Sequence, residues 1–284
     1  MSVEAVRSVV LADLVSLVLA GAPDELDLAG VRTATLERLR GHWPTHTLQG
    51  FASEAPFVDL EAIRDSGSDY LSHLSSNTRG QIRRSHRLYE ERLGPARLSV
   101  ARDDSEAQEW FSELVEIHAR RWAREGVSGA FSRSTTLAFH RDLIREAQVG
   151  GRCRDRLGVD LLRVEFGDTT VGLLYNLVHQ GCVHFYQSAL VYHNDDPRLK
   201  PGLVSHALAV ERSVELGDRE YDYLGGSPEP VRYKRSLSTD VRHLYWVQLA
   251  APKLKMRLIG GARALRRRIL GIDSGENLAV LHPS

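Results

Sequence analysis

The sequence has few cysteines and no long apolar run. Cys153 and Cys182 are the only cysteines among its 284 residues, which excludes a disulfide framework and does not provide the spacing of a zinc site. No uninterrupted apolar run reaches the ~20 residues that span a membrane. The N-terminal stretch does not match a signal peptide, because Glu4 spoils the basic start and Asp13 interrupts the apolar part. These absences predict a cytoplasmic protein that has no transmembrane segment and binds no metal.

An excess of charge of one sign is also absent. The chain contains 37 Lys and Arg residues and 37 Asp and Glu residues, so its formal net charge is zero. A nucleic-acid-binding protein that is basic overall is therefore not expected, although local basic patches remain compatible with this balance. Two such patches are present, at Arg79–Arg92 and at Lys253–Arg268. The second falls in a predicted basic helix over residues 252–271, which Gly260 and Gly261 weaken.

The sequence motifs of several common enzyme classes are missing. The chain has no GxSxG, GxxxxGK[ST], GxGxxG or HExxH motif. The spacing of its apolar residues instead changes along the chain, from a helical period to strand-like runs. Helical spacing predicts helices over 68–94, 105–122 and 135–148, the second of which is opened by a capping box, Ser105-Glu106-Ala107-Gln108. The runs 161–166, 171–178 and 182–190 predict an antiparallel meander with Gly-containing turns. A helix from Pro201 and strands at 220–224 and 241–249 complete a predicted α/β (α+β) fold.

One candidate binding site is the start of the helix that follows the meander. Pro201 and Gly202 open this helix, and proline is favoured in a first turn because its missing N–H is not needed there. The free backbone N–H groups and the partial positive charge of a helix start suit a pyrophosphate or a phosphopantetheine phosphate. Most helix starts of this kind bind nothing, so the pattern alone leaves both interpretations open.

The remaining candidates are groups that can transfer protons. Tyr233 can act as a general acid, and Lys234 beside it can lower its pKa or bind a phosphate or carboxylate; the alternative is a surface pair. Asp222 is predicted to face away from its two tyrosine neighbours and to need a partner, either an Arg or an acceptor amine. His118 lies on the apolar stripe of its helix, as either a base or a hydrogen-bonded core residue.

These candidates belong to a series of segments in a fixed order. The series is Tyr70–Arg79, Ile82–Arg84, His118–Trp122, Phe139–Arg141, Val183–Ala189, Pro201-Gly202, Glu220–Gly226 and Tyr233-Lys234. In order and spacing it resembles the GNAT acyltransferase superfamily, in the branch related to the FemABX peptidyltransferases and to the CelD-type proteins of cellulose-biosynthesis operons. The resemblance covers residues 68–270 well and residues 1–67 more loosely.

The resemblance implies a GNAT-like fold, in which a mixed, mostly antiparallel sheet is flanked by helices. It also implies a tandem arrangement with a reduced N-terminal GNAT-like half. The implied domains are residues 1–97 for the reduced half, which contains the basic helix 68–93, and residues 98–250 for the acyltransferase domain. Residues 251–284 would form a basic C-terminal helix and tail.

The resemblance further implies a donor site and a set of reactive groups. In this superfamily an acyl thioester lies in a V between two splayed strands, whose amides bind the thioester carbonyl, while the next helix N-terminus holds the pyrophosphate. These places correspond to Gln187, Ser188, Ala189 and Leu190, and to Gly202, Leu203 and Val204. The general acid falls on Tyr233, and the base on Asp222, His118 or a water chain. Tyr186, Trp122 and Lys234 are assigned to substrate binding.

The expected co-substrate is a coenzyme A or phosphopantetheine thioester, with no metal. The usual coenzyme A loop of the superfamily has the form Gln/Arg-x-x-Gly-x-Gly/Ala, whereas Arg198–Leu203 retains one glycine. A carrier-protein thioester or an aminoacyl-tRNA therefore also fits. The expected activity is N-acyl transfer, of a group other than aminoacyl, from acyl-CoA or acyl-carrier protein to a primary amine of a small molecule or peptide.

Two alternative functions remain open at this point. The first is an aminoacyl-tRNA-dependent peptidyltransferase of the FemABX type, and the second is a non-catalytic GNAT-fold scaffold. The basic segments would dock an acidic carrier protein under the leading hypothesis and tRNA phosphates under the first alternative. The C-terminal helix is also compatible with weak docking on an anionic membrane. The simplest interpretation of both basic segments is a solvated helix face.

Overall fold

A computed structural model of the chain describes residues 24–35, 37, 48–124, 126, 129–151, 156–192, 196–225, 231–250, 258, 259 and 262. The strands are β1 (Glu25–Arg32), β2 (Leu48–Asp59), β3 (Ala96–Val100), β4 (Gln148–Val149), β5 (Gly158–Phe166), β6 (Thr169–His179), β7 (Cys182–Leu190), β8 (Glu220–Asp222) and β9 (Asp240–Ala250). The helices are α1 (Leu60–Ser66), α2 (Ser76–Leu93), α3 (Asp104–Arg124), α4 (Ser134–Glu146), α5 (Pro201–Glu215) and α6 (Val231–Ser236). Apart from three positions, the predicted basic helix 252–271 lies outside the described residues.

The described residues belong to two compact units. The first takes its residues from 1–55, 225–228 and 242–284, and the second from 56–224 and 229–241. Within the first unit, β1 pairs antiparallel with β9. Within the second, the sheet runs in the order β2, β8, β7, β6, β5, β3, where β2 contributes its last residues, and β4 is attached parallel to β5. The candidate residues from 118 to 234 all belong to the second unit.

The predicted antiparallel meander is present in β5, β6 and β7. The chain then crosses over through α5 and returns as β8, which lies parallel to β7. The sheet is therefore mixed but mostly antiparallel, as predicted. The hairpin between β5 and β6 needs a glycine, because Gly167 has a φ of +54° and a Cβ there would lie 1.9 Å from the Leu93 carbonyl oxygen. This close approach joins the end of α2 to the hairpin.

Two predicted helices begin differently in the structure. The run 68–94 is interrupted, because a 3-10 turn at Tyr70–His73 precedes Ser75, whose side chain caps α2. The capping box of α3 lies two residues earlier than predicted. Asp103 Oδ1 accepts from the Glu106 amide at 2.9 Å, and the Glu106 carboxylate accepts from the Arg102 amide at 2.8 Å. Asp103 and Glu106 thus cap the start of α3, where Ser105 and Gln108 were predicted to do so.

The sheet of the second unit is buried on both faces. Residues such as Leu162, Phe185 and Val210 form one core cluster, in which α1, α2 and α5 cover the sheet. Residues such as Leu161 and Phe111 form a second cluster, under α3 and α4. Adjacent residues of β5 thus enter opposite clusters, as strand alternation requires. The candidate site lies where β7 and β8 separate between these two layers.

Candidate functional site

The parallel strands β7 and β8 are paired over only three residues. Cys182, Val183 and His184 are opposite Glu220, Tyr221 and Asp222, where β8 ends. Strand β7 continues to Leu190, and none of the described residues pairs with its second half on the β8 side. The pairing of β7 with β8 therefore ends at His184, before the segment to which the sequence assigned the donor. The segment with this open edge contains Gln187–Leu190.

The amides of β7 that face the open edge can be assigned from their alternation. The Val191 amide donates to the Val171 carbonyl of β6 at 3.0 Å. Since successive strand amides point to opposite sides, those of Leu190 and Ser188 point away from β6, into the opening. The Ser188 amide donates to Oε1 of the preceding residue, Gln187, at 3.0 Å. A side-chain carbonyl thus occupies the place where an external carbonyl oxygen can bind.

The start of α5 has two backbone amides that the helix does not use. A helix leaves its first N–H groups without intrahelical acceptors. The Lys200 amide donates to Ser85 Oγ at 2.8 Å, proline at 201 has no N–H, and the Val204 amide donates to the Lys200 carbonyl at 3.1 Å. The Gly202 and Leu203 amides remain, and among the described residues no side chain caps them. Of the three predicted anion-binding residues, Gly202 and Leu203 therefore have the suitable amides.

The start of α5 packs directly against the end of β7. A Cβ on Gly202 would lie 3.1 Å from Leu190 Cδ1, and a Cβ on Gly172 would lie 3.1 Å from Leu190 Cδ2. The Leu190 side chain therefore fits between two glycines. This packing brings the open edge of β7 and the two free amides of α5 to the same end of the sheet.

Asp222 and Lys234 hold the chain where it leaves β8. Asp222 is buried, and its Oδ1 accepts from the Leu224 amide at 2.8 Å. Its other oxygen lies 3.6 Å from His184 Nδ1. Lys234 Nζ donates to the Tyr223 carbonyl at 2.7 Å and lies 5.6 Å from the centre of the Phe185 ring. The sequence predicted that Asp222 needs a partner, and the structure supplies a backbone amide and a histidine.

Tyr233 stands beside two other side chains at the same end of the sheet. It is 41% exposed. Its pKa is raised to about 12 by desolvation and by Tyr192, while Arg121 opposes the rise. The Arg121 guanidinium lies 5.1 Å from the centre of the Tyr192 ring. The hydroxyl of Tyr233 is therefore protonated at neutral pH, as a general acid must be, but the raised pKa makes it a weaker acid than an ordinary tyrosine.

His118 and Trp122 form a hydrogen-bonded pair on α3. Trp122 Nε1 donates to His118 Nε2 at 2.7 Å, and His118 is buried against Phe131. Desolvation, followed by Arg121, lowers the pKa of His118. The neutral ring therefore carries its proton on Nδ1, because Nε2 accepts. This geometry matches the predicted alternative of a hydrogen-bonded core histidine, and the role of base stays a prediction.

A β-bulge at Tyr186 was not predicted. Tyr175 of β6 is opposite Gln187, whereas Asn176 is opposite Phe185, so Tyr186 is the extra residue on β7. Its hydroxyl lies 2.9 Å from His140 Nε2, and His140 Nδ1 lies 3.2 Å from the Tyr175 hydroxyl. Only the segment Phe139–Arg141 pointed to His140 in the sequence, without a role. Its two partners are 35 and 46 positions away, so no local pattern connects them.

A second histidine that the sequence did not single out lies below the opening. His206 of α5 is fully buried among Phe185, Tyr221 and Tyr223, and its ring is 6.3 Å from that of Tyr233. Desolvation, with a contribution from Lys234, lowers its pKa to about 3. Its ring is therefore neutral at physiological pH. Its apolar neighbours on the helix gave no signal in the sequence.

A basic surface borders the start of α5. Arg83, Arg84 and Arg87 are exposed on α2. Asp196, in the loop before α5, accepts hydrogen bonds from Arg92 of α2 and from Arg198. This buried carboxylate thereby attaches the loop to α2. The described part of the chain contains no His, Cys, Asp and Glu cluster arranged for a metal and no helix long and apolar enough to cross a membrane.

The open strand edge, the helix amides of α5 and the tyrosine hydroxyls thus lie at one end of the mixed sheet. A family model described as an acetyltransferase (GNAT) domain matches residues 76–235. The chain therefore belongs to the GNAT acetyltransferase-domain family, which confirms the predicted fold class. No curated protein sequence matches the chain.

Solved structures with a similar fold include three that cover most of the chain. FemX has a TM-score of 0.56 at 11% identity, over 84% of this chain and 76% of FemX. The C-terminal domain of a protein from Agrobacterium fabrum, named as a lysylphosphatidylglycerol synthetase, has a TM-score of 0.53 at 14% identity, over 90% and 76% of the two chains. A protein of unknown function from Bacteroides thetaiotaomicron has a TM-score of 0.53 at 8% identity, over 86% and 75%. At these identities the likeness shows the fold alone.

Proposed function

We propose that this GNAT-type transferase is an N-acyltransferase. It would move an acyl group from a thioester of coenzyme A or of an acyl-carrier protein to a primary amine of a small molecule or peptide. The observation that carries the proposal is the coincidence of two features at one end of the sheet. Within the described part of the chain, β7 has no strand partner on the β8 side from Phe185 to Leu190, and the Gly202 and Leu203 amides have no acceptor beside that edge.

In this proposal the donor lies along the open edge of β7. The acyl carbonyl takes the place of Gln187 Oε1 on the Ser188 amide, and Ala189 and Leu190 continue the edge. The phosphate part of the donor meets the Gly202 and Leu203 amides, where the helix dipole favours negative charge. Val204 contributes packing, because its amide is already used.

The reactive groups stand around this donor. Attack of a neutral amine on the thioester carbonyl generates an oxyanion, which a fixed amide stabilises. Tyr233 supplies a proton to the leaving sulfur, and its exposed position next to the opening supports this role. Asp222 or a water chain takes the proton that the amine loses. His118 can do so only if its Nε2 gives up the hydrogen bond from Trp122. Tyr186 and Trp122 form the wall on the α3 and α4 side, and Lys234 fixes the end of β8.

An aminoacyl donor is the second candidate, and two observations favour it. The exposed arginines of α2 and the cations near the start of α5 form a surface that suits phosphate groups. One protein of similar fold is named as a lysylphosphatidylglycerol synthetase. The same surface would dock an acidic carrier protein under the leading proposal. The unit boundaries 1–97, 98–250 and 251–284, the cytoplasmic location and weak membrane docking of the tail remain proposals from the sequence.

The test is a transfer assay read by intact mass. The full-length protein is incubated with acyl-CoAs, acyl-carrier proteins or charged tRNA, each with a pool of amines. A product from a thioester supports the leading proposal, and a product from charged tRNA alone supports the second candidate. No product from any donor contradicts both and favours the scaffold.

A pair of glycine variants tests the donor site in the same assay. In Gly202→Ala the new methyl group meets Leu190, whereas in Gly80→Ala it meets nothing within 4 Å. We expect the first substitution to raise KM for the donor. The second should leave it unchanged, since Gly80 lies on the exposed side of α2.

A further inference from the structure

The hydrogen bonds of His140 form a chain whose direction is fixed by burial. A neutral imidazole has one nitrogen that donates and one that accepts. The two neighbours of His140 are the hydroxyls of Tyr175 and Tyr186, at 3.2 and 2.9 Å. The chain can therefore run from Tyr175 towards Tyr186 or in the opposite direction. In the first case the Tyr186 hydroxyl hydrogen is free, and in the second it is used by His140.

Tyr175 decides between these two directions. Its side chain is fully buried, and His140 is the one hydrogen-bond partner that the described residues give to its hydroxyl. If His140 donated to Tyr175, the hydroxyl hydrogen of Tyr175 would be buried without an acceptor, which is costly. If Tyr175 donates to Nδ1, Nε2–H donates to Tyr186 and every buried donor is satisfied. The chain therefore runs outward and ends in the Tyr186 O–H.

The position of Tyr186 gives this free donor a place to act. The bulge puts Tyr186 immediately before Gln187, in the part of β7 that β8 has left. The Tyr186 side chain is half-buried, and its hydroxyl reaches the buried His140. Burial raises its pKa, which keeps it in the protonated, donating form. Donation from His140 also polarises the Tyr186 O–H and makes it a stronger donor.

We propose that Tyr186 donates a hydrogen bond to the acyl carbonyl oxygen in the transition state, as a side-chain partner to the Ser188 amide. His140 and Tyr175 are positioning residues that hold and polarise this hydroxyl. When the amine nitrogen forms its bond to the carbonyl carbon, the electron pair of the C=O bond moves to oxygen. Tyr186 stabilises that charge without losing its proton. The pair returns as the bond to the leaving atom breaks, Tyr233 protonates that atom, and the amine nitrogen gives up its proton to Asp222 or to a water chain. This role rests on the proposed acyl transfer.

The first measurement does not depend on activity. ¹⁵N NMR of the imidazole in the full-length protein reports which nitrogen of His140 carries the proton. The outward chain requires the Nε2–H tautomer at neutral pH, and Tyr186→Phe should move the Nε2 signal while Tyr175→Phe moves the Nδ1 signal. An Nδ1–H tautomer would overturn the proposal, because the Tyr186 hydroxyl would then be directed at His140.

The second measurement separates the two tyrosines by their chemistry. Tyr186→Phe should lower kcat by about 10²-fold, the usual effect of removing one oxyanion donor, with little change in KM. The loss should be the same with a thiophenyl ester of the transferred acyl group, because a better leaving group does not replace an oxyanion donor. Tyr233→Phe should recover with that donor. Tyr175→Phe, which removes a hydroxyl from the same imidazole, is the matched control and should lower kcat less than Tyr186→Phe does.

Each other outcome has a definite meaning. An unchanged kcat in Tyr186→Phe overturns the proposal, and so does a loss that the thiophenyl ester restores. Equal losses in the two hydroxyl variants, in proportion to lowered melting temperatures, indicate a structural role and also overturn it. If the unmodified protein transfers no acyl group, the proposed function fails and the oxyanion role with it. The tautomer still decides the direction of the chain in that case.

Discussion

Lys234 offers a direct test of what holds the chain in place as it leaves β8. Its ammonium group donates to the Tyr223 carbonyl at 2.7 Å and to the Leu224 carbonyl at 3.4 Å. Leu224 has a φ of +57°, which is an unfavourable backbone conformation for leucine. The two hydrogen bonds hold the chain in this conformation directly after β8. Lys234→Met removes both donors, while an unbranched side chain of similar length still packs on Phe185.

The expected effect follows from the two contacts and from the burial of the charge. A hydrogen bond from a charged group contributes about 1.5–3 kcal/mol, and the longer contact contributes less. Burial lowers the pKa of Lys234, which shows that desolvation opposes part of this gain. We therefore expect Lys234→Met to lower the free energy of unfolding by about 1–2 kcal/mol. The melting temperature should fall by about 2–4 °C for each kcal/mol.

The assay is urea unfolding of the full-length protein, with the transfer rate measured on the same samples. Lys234→Arg is the control, since it keeps a cation that can donate to carbonyls. Because the folded-state pKa is lowered, the unfolded chain binds more protons between the two pKa values, so the unmodified protein gains stability as pH rises through that window. The difference in free energy of unfolding between the unmodified protein and Lys234→Met should therefore widen as pH rises through that window. A Met variant within about 0.5 kcal/mol of the unmodified protein would refute this account, since that is the usual range for surface substitutions.

Three further outcomes can be measured independently. Gly167→Ala should lower the free energy of unfolding in urea by more than the ~1–2 kcal/mol of left-handed backbone strain alone, because its methyl group also meets the Leu93 carbonyl. The control is Gly217→Ala, which has a similar φ and open space around it and should show the strain alone. Asp196→Asn should lower the melting temperature at neutral pH. The hydrogen bonds of Arg198 lower the pKa of Asp196, so this difference should vanish as acid protonates the carboxylate. Trp122→Phe should change the ¹⁵N signal of His118 Nε2, and an unchanged signal would contradict the hydrogen bond.

Local pattern was sufficient for most of the fold. The third strand of the meander was predicted with its observed bounds, Cys182–Leu190. The helix beginning at Pro201 and the short strand that follows it were also predicted, because proline, glycine and apolar periodicity act over a few residues. The capping box failed for a local reason. Asp103 and Glu106 have the same spacing as the predicted pair, Ser105 and Gln108. Both are acidic, which suits a helix start, so the sequence offers two overlapping caps.

The candidate site was less predictable, because its contacts join distant parts of the chain. His140 meets β6 and β7 from α4, and His206 reaches the aromatic side chains of β7 and β8 from α5. Each histidine looks like an ordinary member of its helix in the sequence. The partner of Asp222 was foreseen as a need, but its identity depends on the parallel register of β7 and β8. A strand register of this kind is set by tertiary packing rather than by neighbours in sequence.

The bulge at Tyr186 determines which side chains of β7 face α3 and α4. In a regular strand Phe185 and Ala189 would share one face, because they are four positions apart. In the structure Phe185 belongs to the core under α5, whereas Ala189 belongs to the core under α3 and α4. The extra residue changes the parity of the strand, as a bulge does. Tyr186 and Ala189 thus face the same helices, while the Ser188 amide turns to the open edge. Deleting Tyr186 would remove the extra residue and leave Phe185 and Ala189 three positions apart, so a regular strand would keep Ala189 under α3 and α4 and the Ser188 amide at the open edge. We therefore expect this deletion to remove the tyrosine hydroxyl and to spare the donor edge.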